Sequence, residues 1–232
     1  MRYRTLIGCT LMLLALVATG CKKEKDGGGG GGGDQGVKYS SPEEVFKAAQ
    51  EAEKKKDYKG FFGCLTKDSQ EIFAGAIASS GIMMVSFTEK FDKSGKSAKK
   101  IEPVKAVLEK HGLTKEARAK MEKEMPKGPP KDPKDMLTTM KKFAEPVTDK
   151  ASFVAELLEA LEKTAAQKSK DDNFVSTGTL KDVKKDGDKA KGTFTTTRGE
   201  EEKSVTMEFA NEGGSWKIVI TPELMGGPGG GG

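Results

Sequence analysis

The sequence predicts an α+β domain in which helices come first along the chain and a curved, four-stranded antiparallel sheet comes last. From Ser41 to about Gln167, apolar residues recur with helical spacing between capping signals and prolines. After Asp171 the apolar period changes to two, and glycine-containing turns divide the segment into four short runs. One apolar sheet face then needs a cover, which the preceding helices can supply.

Capping signals mark the first helices. Residues 41–44 read Ser-Pro-Glu-Glu, a capping box that predicts a helix ending near Asp57. A short helix should follow through Phe61 and Phe62, and Thr66 can cap a third.

The third predicted helix has no charged residue from Ile72 to Thr88. The segment 79–81, Ser-Ser-Gly, interrupts a run already short for a bilayer span, so we expect a helix buried in the core that includes the Met83-Met84 pair. Its apolar residues at helical spacing are Phe73, Ile77, Met84, Phe87 and Phe91.

The next segment, 101–167, is helical and more polar. The four helices predicted here run from about Ile101 to His111, from Thr114 to Met125, from Asp132 to before Pro146, and from about Lys150 onward. The last should bury Phe153, Val154, Leu157, Leu158 and Leu161.

Four strands are predicted after the helices, as an antiparallel meander. They cover Phe174–Val183, Ala190–Thr197, Val205–Phe209 and Trp216–Ile220. Their alternation places one set of side chains inward, none of them acidic: Ala190, Gly192, Phe194, Val205, Met207, Phe209, Trp216, Ile218 and Ile220.

The N-terminal residues 1–20 have the layout of an export signal, with Arg2 and Arg4 before an apolar run from Leu11 to Val17. Residues 18–20, Ala-Thr-Gly, lead directly into Cys21. This pattern resembles the lipobox of bacterial lipoprotein precursors, whose cysteine becomes diacylated and, after cleavage, the new N-terminus. The alternative is an ordinary secretory signal with an accidental cysteine at its cleavage site.

The composition predicts four regions: a signal peptide at 1–20, a glycine-rich tether at 21–40, a folded domain at 41–223 and a glycine-rich tail at 224–232. The lipoprotein resemblance implies a domain in the cell envelope, in the periplasm or at the cell surface. Lys22 after the cysteine favours the outer membrane by the same resemblance.

The charge balance argues against a nucleic-acid partner. Loss of Arg2 and Arg4 with the signal leaves 38 of the 40 basic residues against 35 acidic ones, a net charge near +3. Only Arg118 and Arg198 then remain as arginines, although phosphate and base recognition favours the guanidinium group.

Three short motifs carry a second resemblance. Residues 41–46 (Ser-Pro-Glu-Glu-Val-Phe), 57–58 (Asp-Tyr) and 213–218 (Gly-Gly-Ser-Trp-Lys-Ile) look like the ends of a cone-shaped domain of the nuclear transport factor 2-like superfamily, which includes ketosteroid isomerases and polyketide cyclases. The resemblance implies that 101–167 is a long helical insertion. A hollow cone would be lined by Phe194, Met207, Phe209, Trp216 and Ile218, and a filled one would bury the same residues as core.

Enzymes of that superfamily use a pocket carboxylate or histidine as base. The one histidine, His111, precedes Gly112 at a predicted helix end, where capping explains it. Asp68, Asp171 and Asp172 lie at the ends of predicted elements, where capping or solvation explains them. The sequence has no metal-ligand cluster, phosphate loop or nucleophile motif, so we expect no metal, no cofactor and no catalysis.

Three function classes remain open. The leading one is a lipoprotein whose non-catalytic domain binds an envelope protein or a small apolar ligand. The second is a cone-fold isomerase or hydrolase acting on a small apolar substrate, which needs a buried carboxylate facing a cavity. The third is a structural spacer with a filled core.

Cys64, in an apolar stretch, should be a small buried residue and not a nucleophile.

Membrane attachment should depend on Cys21. Because one acyl chain gives only marginal anchoring and two or more give stable attachment, the wild-type protein should partition into the detergent phase and Cys21→Ala should shift it toward the aqueous phase. Phase partitioning of the two proteins measures this. A Cys21→Ala protein found wholly in detergent contradicts lipidation at this residue.

Overall fold

The first helix begins where the capping signal predicts. The Ser41 hydroxyl accepts a hydrogen bond from the Glu44 amide at 3.2 Å, and Pro42 occupies the first helical turn. The Glu44 carboxylate accepts from the Ser40 amide and hydroxyl, both at 2.8 Å. The reciprocal half of the box therefore reaches one residue further back than the sequence predicts.

The computed structural model describes residues 37–92, 98–124, 132–164, 175, 177–198 and 201–225, all within one compact unit. Helices precede strands, so the predicted α+β class is confirmed. The helices are α1 Pro42–Lys55, α2 Tyr58–Gly63, α3 Lys67–Phe91, α4 Ala98–Lys110, α5 Lys115–Glu124, α6 Pro133–Ala144 and α7 Lys150–Thr164. The strands are β1 Thr179–Asp186, β2 Lys189–Arg198, β3 Glu201–Glu212 and β4 Ser215–Val219.

The sheet is an open antiparallel meander with the strand order β1-β2-β3-β4. Gly213 and Gly214 join β3 to β4 with φ of 61° and 81°, values that glycine adopts without steric cost. β3 is longer than predicted because pairing with β2 continues through its charged first residues, which carry no apolar alternation. The predicted start of the first strand at Phe174 lies outside the described residues.

The predicted inward face of the sheet is confirmed for its large residues. Phe194, Met207, Phe209, Trp216 and Ile218 are all at most 6% exposed and belong to the hydrophobic core. The Phe46 ring of α1 meets the Phe194 ring edge-on, with centroids 5.8 Å apart. The first helix thus covers the sheet, as the order of elements predicts.

The buried face of α3 is not the one predicted. Met83, Phe87 and Phe91 are 61%, 66% and 67% exposed, so the expectation that they lie in the core is wrong. The helix instead buries a face of small and branched residues, on which α4, α6 and α7 pack. That face comprises Ile72, Ala74, Gly75, Ala78, Ile82 and Val85.

The length of α3 and its mean hydropathy of 1.4 would also allow it to cross a membrane. Core helices of soluble proteins can have the same length and hydropathy.

Backbone hydrogen bonds fix the α2–α3 junction to β4. The Thr66 amide donates to the Ile218 carbonyl at 3.0 Å, and the Ile218 amide donates to the Cys64 carbonyl at 2.9 Å. The Ser69 hydroxyl accepts from the Ile220 amide at 2.8 Å. The early helices and the last strand are therefore joined directly.

Gly75 permits the close approach of α3 and α6. A Cβ atom at Gly75 would lie 1.6 Å from the Met140 carbonyl oxygen, so Gly75→Ala must push the two helices apart. We expect a loss of about 1 to 3 kcal/mol of unfolding free energy in urea titration. Gly63→Ala is the control, because nothing lies within 4 Å of its added Cβ, and it should be neutral or slightly stabilising. Equal stability of the two variants contradicts this packing.

Candidate binding groove

An open groove with a volume of about 410 Å³ lies between α5 and α6. Sites for small molecules usually enclose roughly 300 to 1,000 Å³, so the groove is large enough for one. Its lining combines an apolar floor with a charged rim and comprises Ala117, Lys120, Met121, Thr139, Lys142, Phe143, Glu145 and Pro146.

Residues of α5 and α6 form the apolar floor of the groove. α5 is short and polar, and two of its apolar residues, Ala117 and Met121, are four positions apart, which places them on one side of the helix. Phe143 lies near the end of α6 and is only 4% exposed, while Pro146 follows that helix. The floor is therefore continuous with the core through Phe143, and Met121 packs against the same core from α5.

The buried residue Arg118 bonds α5 to the segment that precedes it. Its side chain is buried, and its Nη1 donates to the Leu113 carbonyl at 3.2 Å. Its Nη2 lies 4.0 Å from a Glu109 carboxylate oxygen, too far for a hydrogen bond, and has no other partner among the described residues. The unsatisfied Nη2 of this buried guanidinium costs folding free energy.

A smaller cavity of about 270 Å³ shares Lys142 and Glu145 with the groove. Each residue that lines this cavity has a polar or charged side chain, and one of them, Lys141, also pairs with Asp68. Asp68 is exposed in the first turn of α3, so this candidate carboxylate forms a surface ion pair. Asp171 and Asp172, the other two candidates, lie outside the described residues.

The structure brings the predicted cavity residues together as packed core. Phe194, Met207, Phe209, Trp216 and Ile218 line neither of the two cavities described above. A role for them as a cavity wall stays a prediction. The sequence did not predict the groove residues. Ala117 and Met121 form part of a groove only because α6 packs beside α5.

His111 takes part in a hydrogen-bonded cluster with Glu156 and Lys110 at the end of α4. Its Nε2 lies 3.1 Å from a Glu156 carboxylate oxygen, and Lys110 Nζ lies 2.7 Å from the other. Its ring also meets the Phe153 ring with centroids 5.3 Å apart. Gly112 follows with φ of 87°, the left-handed cap that the sequence predicts. Packing and capping therefore account for His111.

Cys64 is 1% exposed, and burial raises the pKa of its thiol. The Tyr39 hydroxyl lies 3.5 Å from the sulfur, and burial raises the pKa of Tyr39 as well. A raised pKa disfavours the thiolate that a nucleophilic cysteine requires. Among the described residues no group of His, Cys, Asp and Glu could hold a metal ion.

Comparison with known proteins identifies no relative. No protein-family model matches the chain, and neither does any curated protein or solved structure.

Glu156 should make stability depend on pH. Hydrogen bonds from Lys110 and then His111 lower the pKa of Glu156, so its contribution is present above the ordinary pKa of about 4.3 and disappears as pH falls. Because the carboxylate is 34% exposed, we expect Glu156→Gln to cost less than about 1 kcal/mol at neutral pH.

Urea unfolding at neutral and acidic pH measures this dependence. The difference from wild type should vanish in acid, and Glu159→Gln, exposed on the same helix, should show little difference at either pH. A pH-independent loss in Glu156→Gln contradicts the ion-pair account.

Proposed function

We propose that this chain is a membrane-anchored lipoprotein of the cell envelope whose non-catalytic domain binds a small apolar ligand or an apolar segment of an envelope protein. The observation that carries the binding role is the groove between α5 and α6. The anchoring role rests on the resemblance of residues 1–21 to lipoprotein precursors.

The groove has the chemistry of a binding site for an apolar group. Met121, Phe143 and Pro146 offer an apolar surface, so a ligand entering the groove gains free energy by leaving water. Lys120 and Lys142 at the rim can orient a polar or anionic end of the same molecule.

The enzyme alternative has less support from the described residues. A cone-fold isomerase or hydrolase needs a carboxylate or histidine buried in its pocket. The acid that lines the groove, Glu145, is exposed to solvent, and His111 is engaged with Glu156 away from the groove lining. The likeness to the nuclear transport factor 2-like superfamily remains a hypothesis.

A groove-filling substitution tests the binding role. Ala117→Trp places a large side chain in the groove, whereas Ala119→Trp places the same side chain on the exposed side of α5. Titration with an environment-sensitive apolar anionic dye measures affinity in wild type and both variants. We expect Ala117→Trp to weaken binding by roughly tenfold or more, a loss of about 1.4 kcal/mol, and Ala119→Trp to leave it unchanged.

Circular dichroism serves as the folding control for both variants. Mass spectrometry of material extracted from the purified wild-type protein then identifies any ligand retained from the cell. Equal dye affinity in all three proteins contradicts a binding groove between α5 and α6.

A further inference from the structure

Three large apolar side chains lie exposed in a row on the last turns of α3. Met83, Phe87 and Phe91 are four residues apart, which places them on one side of the helix, and each is more than 60% exposed. The rings of Phe87 and Phe91 touch, with centroids 4.6 Å apart. We name these three residues the apolar stripe. Contiguous exposed apolar surface on a protein marks contact with a partner or a membrane.

The apolar stripe is separate from the packed face of the same helix. Ile82 and Val85 are fully buried on the other side, and Met84 is half-buried, with its sulfur 3.8 Å from the Thr164 hydroxyl. The neighbouring helices therefore already cover the face of α3 that the core needs. Among the described residues the apolar stripe stays exposed, so it is available for a contact outside the domain.

Lysines lie at the same end of the molecule as the apolar stripe. α4 follows α3 in the chain, and Lys105 of α4 lies 3.7 Å from Glu89 of α3, so the two helices run side by side. Lys99 and Lys100 are exposed in the first turn of α4. Exposed aromatic rings beside lysines match a bilayer surface, whose acyl boundary accepts the rings and whose anionic headgroups attract the lysines.

We infer that the apolar stripe docks on a bilayer that contains anionic phospholipid, the same bilayer that holds the lipid anchor. This inference rests on the proposed function, because tethering raises the effective concentration of a contact too weak to act alone. The Tyr39 amide is bonded to the Ser215 hydroxyl, so the tether ends there. Residues 22–38, between Cys21 and Tyr39, reach at most about 60 Å when extended. The 25 residues of α3 span about 37 Å, so the tether allows the stripe to reach the membrane.

Quenching by brominated lipid tests this docking. Phe87→Trp is introduced into the full chain, which is reconstituted into vesicles of phosphatidylcholine and brominated phosphatidylglycerol. We expect the added indole to lose emission by roughly twofold, and to recover it in high salt or in vesicles with brominated phosphatidylcholine alone. Lys184→Trp, at an exposed position of β1, is the matched control and should not be quenched, and Trp216 is buried in both proteins.

The possible outcomes separate the docking from the anchor. A chain that sediments with vesicles while Phe87→Trp stays unquenched overturns the docking and leaves the anchor standing. Quenching of Phe87→Trp on a chain that needs excess vesicles to sediment supports the docking and contradicts the anchor. A dimer in sedimentation velocity that Phe87→Ser/Phe91→Ser converts to a monomer, without quenching on vesicles, overturns the docking in favour of a second copy of this chain.

Discussion

The hydrogen bonds between the α2–α3 junction and β4 join the early helices to the last strand. Leu65 pairs with Ile218 as one rung of a parallel sheet, because the Thr66 amide donates to the Ile218 carbonyl and the Ile218 amide donates to the Cys64 carbonyl. The Ser69 hydroxyl extends the contact to Ile220. Buried backbone groups need such partners, because each unpaired one costs free energy comparable to a lost hydrogen bond. These bonds therefore fix the register in which the early helices and the last strand bury one another.

This contact between the α2–α3 junction and β4, which we call the joint, lies between a sheet-containing part and a helical part of the molecule. On the sheet side, α1 packs against β1 and β4, and the inward residues Phe194 and Phe209 fill the space between them. On the other side, α3 extends away from the sheet, and α4, α6 and α7 pack against it. The groove and the apolar stripe both belong to this helical part. The family resemblance placed ligand binding at the sheet, whereas the described cavity lies among the helices.

Much of the fold could be predicted because its signals are local. Ser41 and Thr66 cap helices in the structure as the sequence predicts, and the period of two identifies the inward side of the sheet. The buried face of α3 could not be predicted in the same way. Both of its faces satisfy helical spacing, and the choice depends on Gly75, whose lack of a side chain matters only because the Met140 carbonyl lies against it. The groove likewise depends on which helices meet.

The central claim is that helices and sheet form one cooperative unit through the joint at β4. Native-state hydrogen exchange tests it most directly, because the amides of Thr66, Ile218 and Ile220 report the joint itself. The account predicts that these amides exchange with the same opening free energy as the interior of α3 and of β3, equal to the free energy of global unfolding. Exchange of the joint amides at a much lower free energy, with α3 and the sheet each still protected, would contradict it.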